Sequence, residues 1–158
     1  MNEFMKAACE LSAENLRTNS GGPFGAVVVK DGKIIGRGRN HVLENNDPTA
    51  HGEVMAIRDA CKNTGSYDLS GCELYTSAYP CPMCMSATVW ANIKKIYYGN
   101  TRKDAETIGF RDDFIYELMG RLSADEEDGG GIEIEQLDHE ETIKVFEAFE
   151  RKQDKTIY

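Results

Sequence analysis

The chain has 158 residues, a net charge of −9, 41% hydrophobic and 28% charged residues, which suits one soluble domain with its own core and no disulfide staples. The acidic balance works against a nucleic-acid partner, for which a basic face is expected. No apolar run approaches the roughly 20 residues that span a bilayer.

Residues 1–19 place Phe4, Ala8, Leu11 and Leu16 at amphipathic helix spacing. Glu3, Glu10 and Glu14 interrupt the apolar positions, so this stretch does not read as a signal peptide. Gly21-Gly22-Pro23 breaks the helix, and residues 24–29 form a short valine-rich run expected as a buried strand. Asp31-Gly32 is a hairpin signal, so residues 33–41 should return antiparallel. A polar loop over 42–49 leads to a helix over 50–64, closed by Gly65. Then follow a strand over 72–77, a helix over 81–91, a strand over 94–98, a short helix or turn over 104–109 and a helix over 110–118. The acidic, glycine-ended stretch 123–131 is expected as the most flexible loop. Residues 132–137 alternate like a half-exposed strand, and 140–151 read as a helix with Ile143, Phe146 and Phe149 inward. With no internal repeat and no linker, the pattern predicts a single α/β domain over 1–158 with a mixed sheet.

The five cysteines, an odd number without an export signal, point to a reducing cytoplasm. Cys9, Cys61 and Cys72 are expected as buried apolar fillers. Cys81 and Cys84 differ, because Cys-x-x-Cys at a strand-to-helix junction aims both sulfurs at one side of the first helical turn. The positive end of the helix dipole favours thiolate there. His51, at another helix start, supplies a neutral nitrogen. Three ligands for Zn²⁺ with a fourth position open mark a catalytic rather than a structural site. Glu53, two residues from His51, can stand beside the metal without binding it and move protons between water, a ring nitrogen and a departing amine. That chemistry is hydrolytic deamination of a heterocycle. A redox Cys81–Cys84 pair would leave His51 and Glu53 idle, and a structural zinc closed by Cys72, His41 or Cys61 lacks a second ligand pair of matching spacing. His41 and His139 are expected as surface or core residues.

His51-Gly52-Glu53 followed by Pro80-Cys81-Pro82-Met83-Cys84 resembles the zinc deaminase signature of the cytidine deaminase-like superfamily. The resemblance runs from Gly22-Pro23-Phe24-Gly25-Ala26 to the terminal tyrosine. It implies a three-layer α/β/α fold around a five-stranded sheet, zinc held by His51, Cys81 and Cys84, and Glu53 as proton shuttle. Residues 46–51, 108–116 and 155–158 are most similar to the small bacterial guanine deaminases, which implies a homodimer in which the C-terminal segment 132–158 can be exchanged. It further implies Asn40 hydrogen-bonding the purine, Phe24 and Trp90 packing on the ring, Asp112 as a second acid near the exocyclic amine, and Tyr158 closing the pocket. From the residues alone, Asn40 could instead bond a neighbouring loop and Trp90 could be core. Either Asp112 or Asp113 could be a helix cap, and Tyr158 could be a loose terminus.

Ser77-Ala78-Tyr79 departs from the family's usual cysteine and glutamate before the proline, Gly52 replaces the commoner alanine, and Arg111 occupies a place often acidic. Ala78 and Tyr79 are expected at the pocket mouth. The resemblance implies conversion of guanine to xanthine and ammonia. Other outcomes are deamination of cytosine, guanosine or a triazine such as ammeline, or of adenosine in tRNA.

Overall fold

The computed structural model describes residues 1–124, 132 and 134–157. The chain divides into two compact units, Met1–Met119 and Gly120–Tyr158.

The first unit opens with α1 (Glu3–Thr18), whose free N–H groups at Phe4 and Met5 are capped by the Asn2 side chain. The hairpin β1 (Gly25–Lys30) and β2 (Lys33–Arg39) follows, its turn made by Asp31 and Gly32 at positive φ. The stretch expected as plain loop contains one helical turn, α2 (Val42–Asn45). Then come α3 (Gly52–Thr64), β3 (Glu73–Ala78), α4 (Pro82–Trp90), β4 (Lys95–Asn100) and α5 (Arg102–Thr107). Helix α6 (Asp112–Ser123) begins in the first unit and ends in the second, where α7 (His139–Arg151) lies.

The sheet is mixed, in the order β2-β1-β3-β4. β1 pairs antiparallel with both β2 and β3, whereas β3 and β4 run parallel with α4 as the crossover. Because successive side chains on a strand point to opposite faces, β1 feeds two cores at once. Ala26 and Val28 pack with Ala56 and Ala60 of α3 and with Leu74, Ala91 and Ile93. Val27 and Val29 pack with Phe4, Met5 and Leu11 of α1 and with Tyr75 and Tyr97. This is the three-layer α/β/α arrangement. Helix α3 lies directly on β2, since a Cβ at Gly38 would stand 2.2 Å from the carbonyl oxygen of Gly52.

Several expectations are corrected. The sheet has four strands among the described residues, not five. Residues 132 and 134–137 form no ladder, and Ile132, Ile134 and Leu137 are exposed. Their alternation has no neighbouring strand to satisfy its backbone groups, and that pairing, rather than side-chain period, makes a strand. No residue of α7 is buried, with Phe146 and Phe149 exposed. Cys72 is buried as expected, whereas Cys61 is half-buried and Cys9 exposed. The loop expected over 123–131 lies outside the described residues except for Ser123 and Ala124. Among the described residues, no helix is long and apolar enough to cross a membrane.

Candidate metal centre and cleft

Two helix starts meet behind the carboxyl end of β3. His51 is the N-cap of α3 and Cys81 the N-cap of α4, both with extended backbone just before the first turn. Pro82 at the first position of α4 fits, because its fixed φ suits a helix start and its missing N–H costs no helical bond there. Cys84 follows one turn later, fully buried. The fold thereby brings His51 to the cysteine pair, 30 and 33 residues further along the chain.

Nδ1 of His51 lies 3.5 Å from Sγ of Cys81 and 3.5 Å from Sγ of Cys84. A tetrahedral zinc, with Zn–S near 2.3 Å and Zn–N near 2.05 Å, requires a separation of about 3.6 Å between sulfur and nitrogen. The donor set fits the ion. Among the described residues the group that could hold a metal is His51, Cys81 and Cys84, without Cys61, Cys72 or His41. The structural-zinc alternative therefore lacks its fourth ligand. His41 instead contacts Oε2 of Glu44 at 2.7 Å.

The protonation pattern agrees. Hydrogen bonds from the Cys84 thiol and from His51 hold Cys81 as a thiolate, its pKa lowered to about 4. The same contact with Cys81, together with burial, pushes the Cys84 thiol up, and His51 is raised by its bond to the Cys81 sulfur. Donors that crowd their protons together in this way release them when a divalent cation is bound.

Glu53, in the first turn of α3, is only 6% exposed and accepts a hydrogen bond from Oγ1 of Thr76 on β3 at 3.2 Å. Burial raises its pKa, since a low-dielectric surrounding disfavours the charged form. Beside it opens a cleft lined by Phe24, Asn40, His51, Glu53, Ala78, Tyr79, Cys81, Phe110 and Asp112. The sequence-predicted residues Phe24, Asn40 and Asp112 therefore converge with the metal donors, and Ala78 and Tyr79 line the cleft as expected.

Asp112 and Asp113 part at this point. Asp113 lies 3.5 Å from Nε of Arg102, whose guanidinium also stacks on Tyr116 and Tyr79. Asp112 faces the cleft, its pKa raised by burial and then by the Cys81 charge. The oxygen of the buried Asn40 side chain accepts from the Val42 N–H at 3.1 Å, so the loop-bonding alternative is true of that oxygen while the residue also lines the cleft.

The core reading of Trp90 is corrected. At the end of α4 it is 63% exposed, neither core nor among the residues lining the cleft. Helical spacing turns it away from the start of α4, where the cysteines sit. Tyr158 lies outside the described residues. The aromatic wall that the sequence reading missed is Phe110, edge-on to Phe24 with ring centroids 4.7 Å apart. Its signal was its place just before the Asp112–Asp113 helix start, in the stretch 108–116. Ser77 accepts the buried N–H of Gly25 through its hydroxyl at 3.1 Å.

Residues 1–100 match the cytidine and deoxycytidylate deaminase zinc-binding region. Guanine deaminase of Bacillus subtilis (strain 168) is 52% identical over 118 residues, covering 75% of this chain and 76% of that protein. An X-ray structure of guanine deaminase from Bacillus subtilis matches with a TM-score of 0.90 and 45% identity, covering 100% of this chain and 99% of that one. The tRNA-specific adenosine deaminase of Aquifex aeolicus (strain VF5) is 46% identical over 76 residues, covering 48% of this chain and 50% of that protein, so the chain spans about half the length of that relative. A solved structure in complex with 2,6-diaminopurine matches at TM-score 0.66 and 34% identity, covering 69% of this chain and 61% of that one. With the donor set, the cleft and these likenesses together, the chain belongs to the cytidine and deoxycytidylate deaminase family and is a zinc-dependent deaminase.

Proposed function

We propose that this chain hydrolyses guanine to xanthine and ammonia, with His51, Cys81 and Cys84 as zinc ligands. The observation that carries the reading is the joining of that donor set to a buried carboxylate and a narrow cleft walled by two aromatic rings. The likeness to a guanine deaminase over three quarters of the chain supports the choice of base.

When bound, zinc supplies Lewis-acid activation of water. Glu53 would take one proton from the attacking water and hand it to the ring nitrogen, while the remaining hydroxyl bonds to the adjacent ring carbon. It would then move the hydroxyl's own proton to the amino group on that carbon, so that the carbon–nitrogen bond breaks, ammonia departs and the oxygen stays as the new carbonyl. A carboxylate raised by burial suits this task, because it can be reprotonated near neutral pH. Asp112 receives the exocyclic amine, and Asn40 and Phe24 hold the base edge and face.

The working enzyme is a single deaminase domain over 1–158, in the cytoplasm, and acts as a homodimer in which segment 132–158 and Tyr158 are exchanged with the partner. Supporting this are the exposed apolar residues Ile134, Leu137, Val145 and Phe146, which a second chain could cover. Ammonia release from guanine, cytosine, guanosine, ammeline and adenosine-containing tRNA tests the substrate. Guanine should be turned over fastest, and no turnover of guanine would refute the reading. Light scattering tests the dimer, with a monomer at micromolar concentration as the adverse result.

A further inference from the structure

Asn15 sits on α1, 4% exposed, and is not among the residues that line the cleft. Its amide nitrogen donates to the carbonyl oxygens of Gly22 at 2.7 Å and Asn40 at 2.8 Å. Its oxygen accepts from Nη1 of Arg39 at 2.6 Å. Arg39 is itself held by Glu14, with Nε 3.3 Å from its carboxylate.

A side-chain amide has two N–H donors and an oxygen acceptor, and here all are engaged. The orientation is therefore fixed. Turning the amide over would aim its NH₂ at the guanidinium and its oxygen at two carbonyls.

The two carbonyls belong to the two segments that carry the base-facing side chains. Gly22 precedes Phe24 by two residues, and Asn40 is itself in the cleft lining. The same segments meet through the Asn40 N–H, which donates to the Phe24 carbonyl at 2.9 Å. Ser12, one turn earlier on α1, donates to the carbonyl of Pro23. Little slack remains, since a Cβ at Gly21 would fall 2.0 Å from Oδ1 of Asn40. Helix α1 thus serves as a frame, and Asn15 is where both segments are fastened to it.

We propose that Asn15 is a positioning residue for base recognition: it sets the spacing between the Phe24 ring and the Asn40 amide without touching the base. The proposal rests on the reading that the cleft takes a flat amino-heterocycle. Asn15 contacts neither the metal donors nor Glu53, so its loss should weaken binding of the ground state and the transition state alike.

The test is steady-state kinetics of Asn15→Ala in the zinc-loaded, full-length protein, with the base that the native chain turns over fastest in the panel. If that base is not guanine, the substrate reading falls while this measurement proceeds unchanged. The expected result is a KM raised about tenfold, with kcat within about threefold of native and zinc content unchanged. Asn15→Ser, whose hydroxyl can donate one of the two bonds, should give an intermediate KM, and it replaces the alanine variant if that one does not fold. A native KM in the variant that folds, or a fall of kcat and zinc content in step with the rise in KM, would overturn the proposal.

Discussion

Asp113 Oδ1 lies 3.5 Å from Nε of Arg102, while its neighbour Asp112 turns into the cleft beside His51 and Glu53. Two adjacent carboxylates at one helix start thus have different surroundings, and two different outcomes follow. Asp112→Ala should lower kcat/KM for guanine by about a hundredfold, because it removes the carboxylate that receives the exocyclic amine. Asp113→Asn weakens a half-exposed ion pair and should stay within about fivefold of native. Equal losses in the two variants would contradict the separation.

Glu53 stands beside the metal donors without belonging to their set, so binding and turnover should come apart there. Glu53→Gln keeps the shape and the acceptor for Thr76, so the protein should fold and hold native zinc. Its turnover should drop by about 10²–10⁴. Metal analysis beside initial rates checks this, and zinc lost together with activity would mean that Glu53 serves the metal site instead.

Chelation should abolish ammonia release and lower the melting temperature, because His51 at the start of α3 and Cys81 and Cys84 at the start of α4 would hold the ion jointly. Cys84→Ser should bind zinc far more weakly than native and resemble the chelated protein. A chelated chain that melts like the loaded one would count against a site built from these three side chains.

Phe110 carries the wall that pattern alone did not reveal. Phe110→Ala removes the edge-to-face partner of Phe24 and opens the cleft. KM for guanine should rise roughly tenfold, with a smaller change in kcat. Trp90→Ala, on the exposed end of α4, should leave the affinity of an isolated subunit's cleft unchanged, measured by titration with 8-azaguanine.

The capping box at α5 gives a pH prediction with a definite sign. Asp104 accepts from the N–H and the hydroxyl of Thr101, and these bonds hold its pKa below the ordinary 3.8. A lowered folded-state value means that the unfolded chain takes up the proton first as pH falls. The contribution is therefore present in full above pH 3.8 and is lost as pH drops through the lowered folded value. Asp104→Ala should melt below native at pH 7, and the gap should narrow as pH falls below 3.8. A gap that persists unchanged in acid would assign the effect to something other than this carboxylate's charge.

Local chemistry was enough for much of this molecule. Helix spacing, the Asp31–Gly32 turn and the valine run of β1 depend on neighbours a few residues away, and each was legible. The zinc ligands were legible for a related reason: Cys-x-x-Cys and His-x-Glu each sit within one helical turn, and a borderline-soft cation demands those donors. Three features depended on contacts between distant parts of the chain. These were the number of strands, which needs a partner strand for residues 132–137; the exposure of Trp90; and the pairing of Asp113 rather than Asp112 with Arg102. The frame of Asn15 belongs with them, because a mid-helix asparagine looks like a solvated residue until Gly22 and Asn40 are folded against it. Residue type alone thus determined the reaction, since the metal and proton chemistry reside in the side chains. The shape of the cleft was decided only in three dimensions, where burial and hydrogen-bond partners are assigned between residues far apart in the chain.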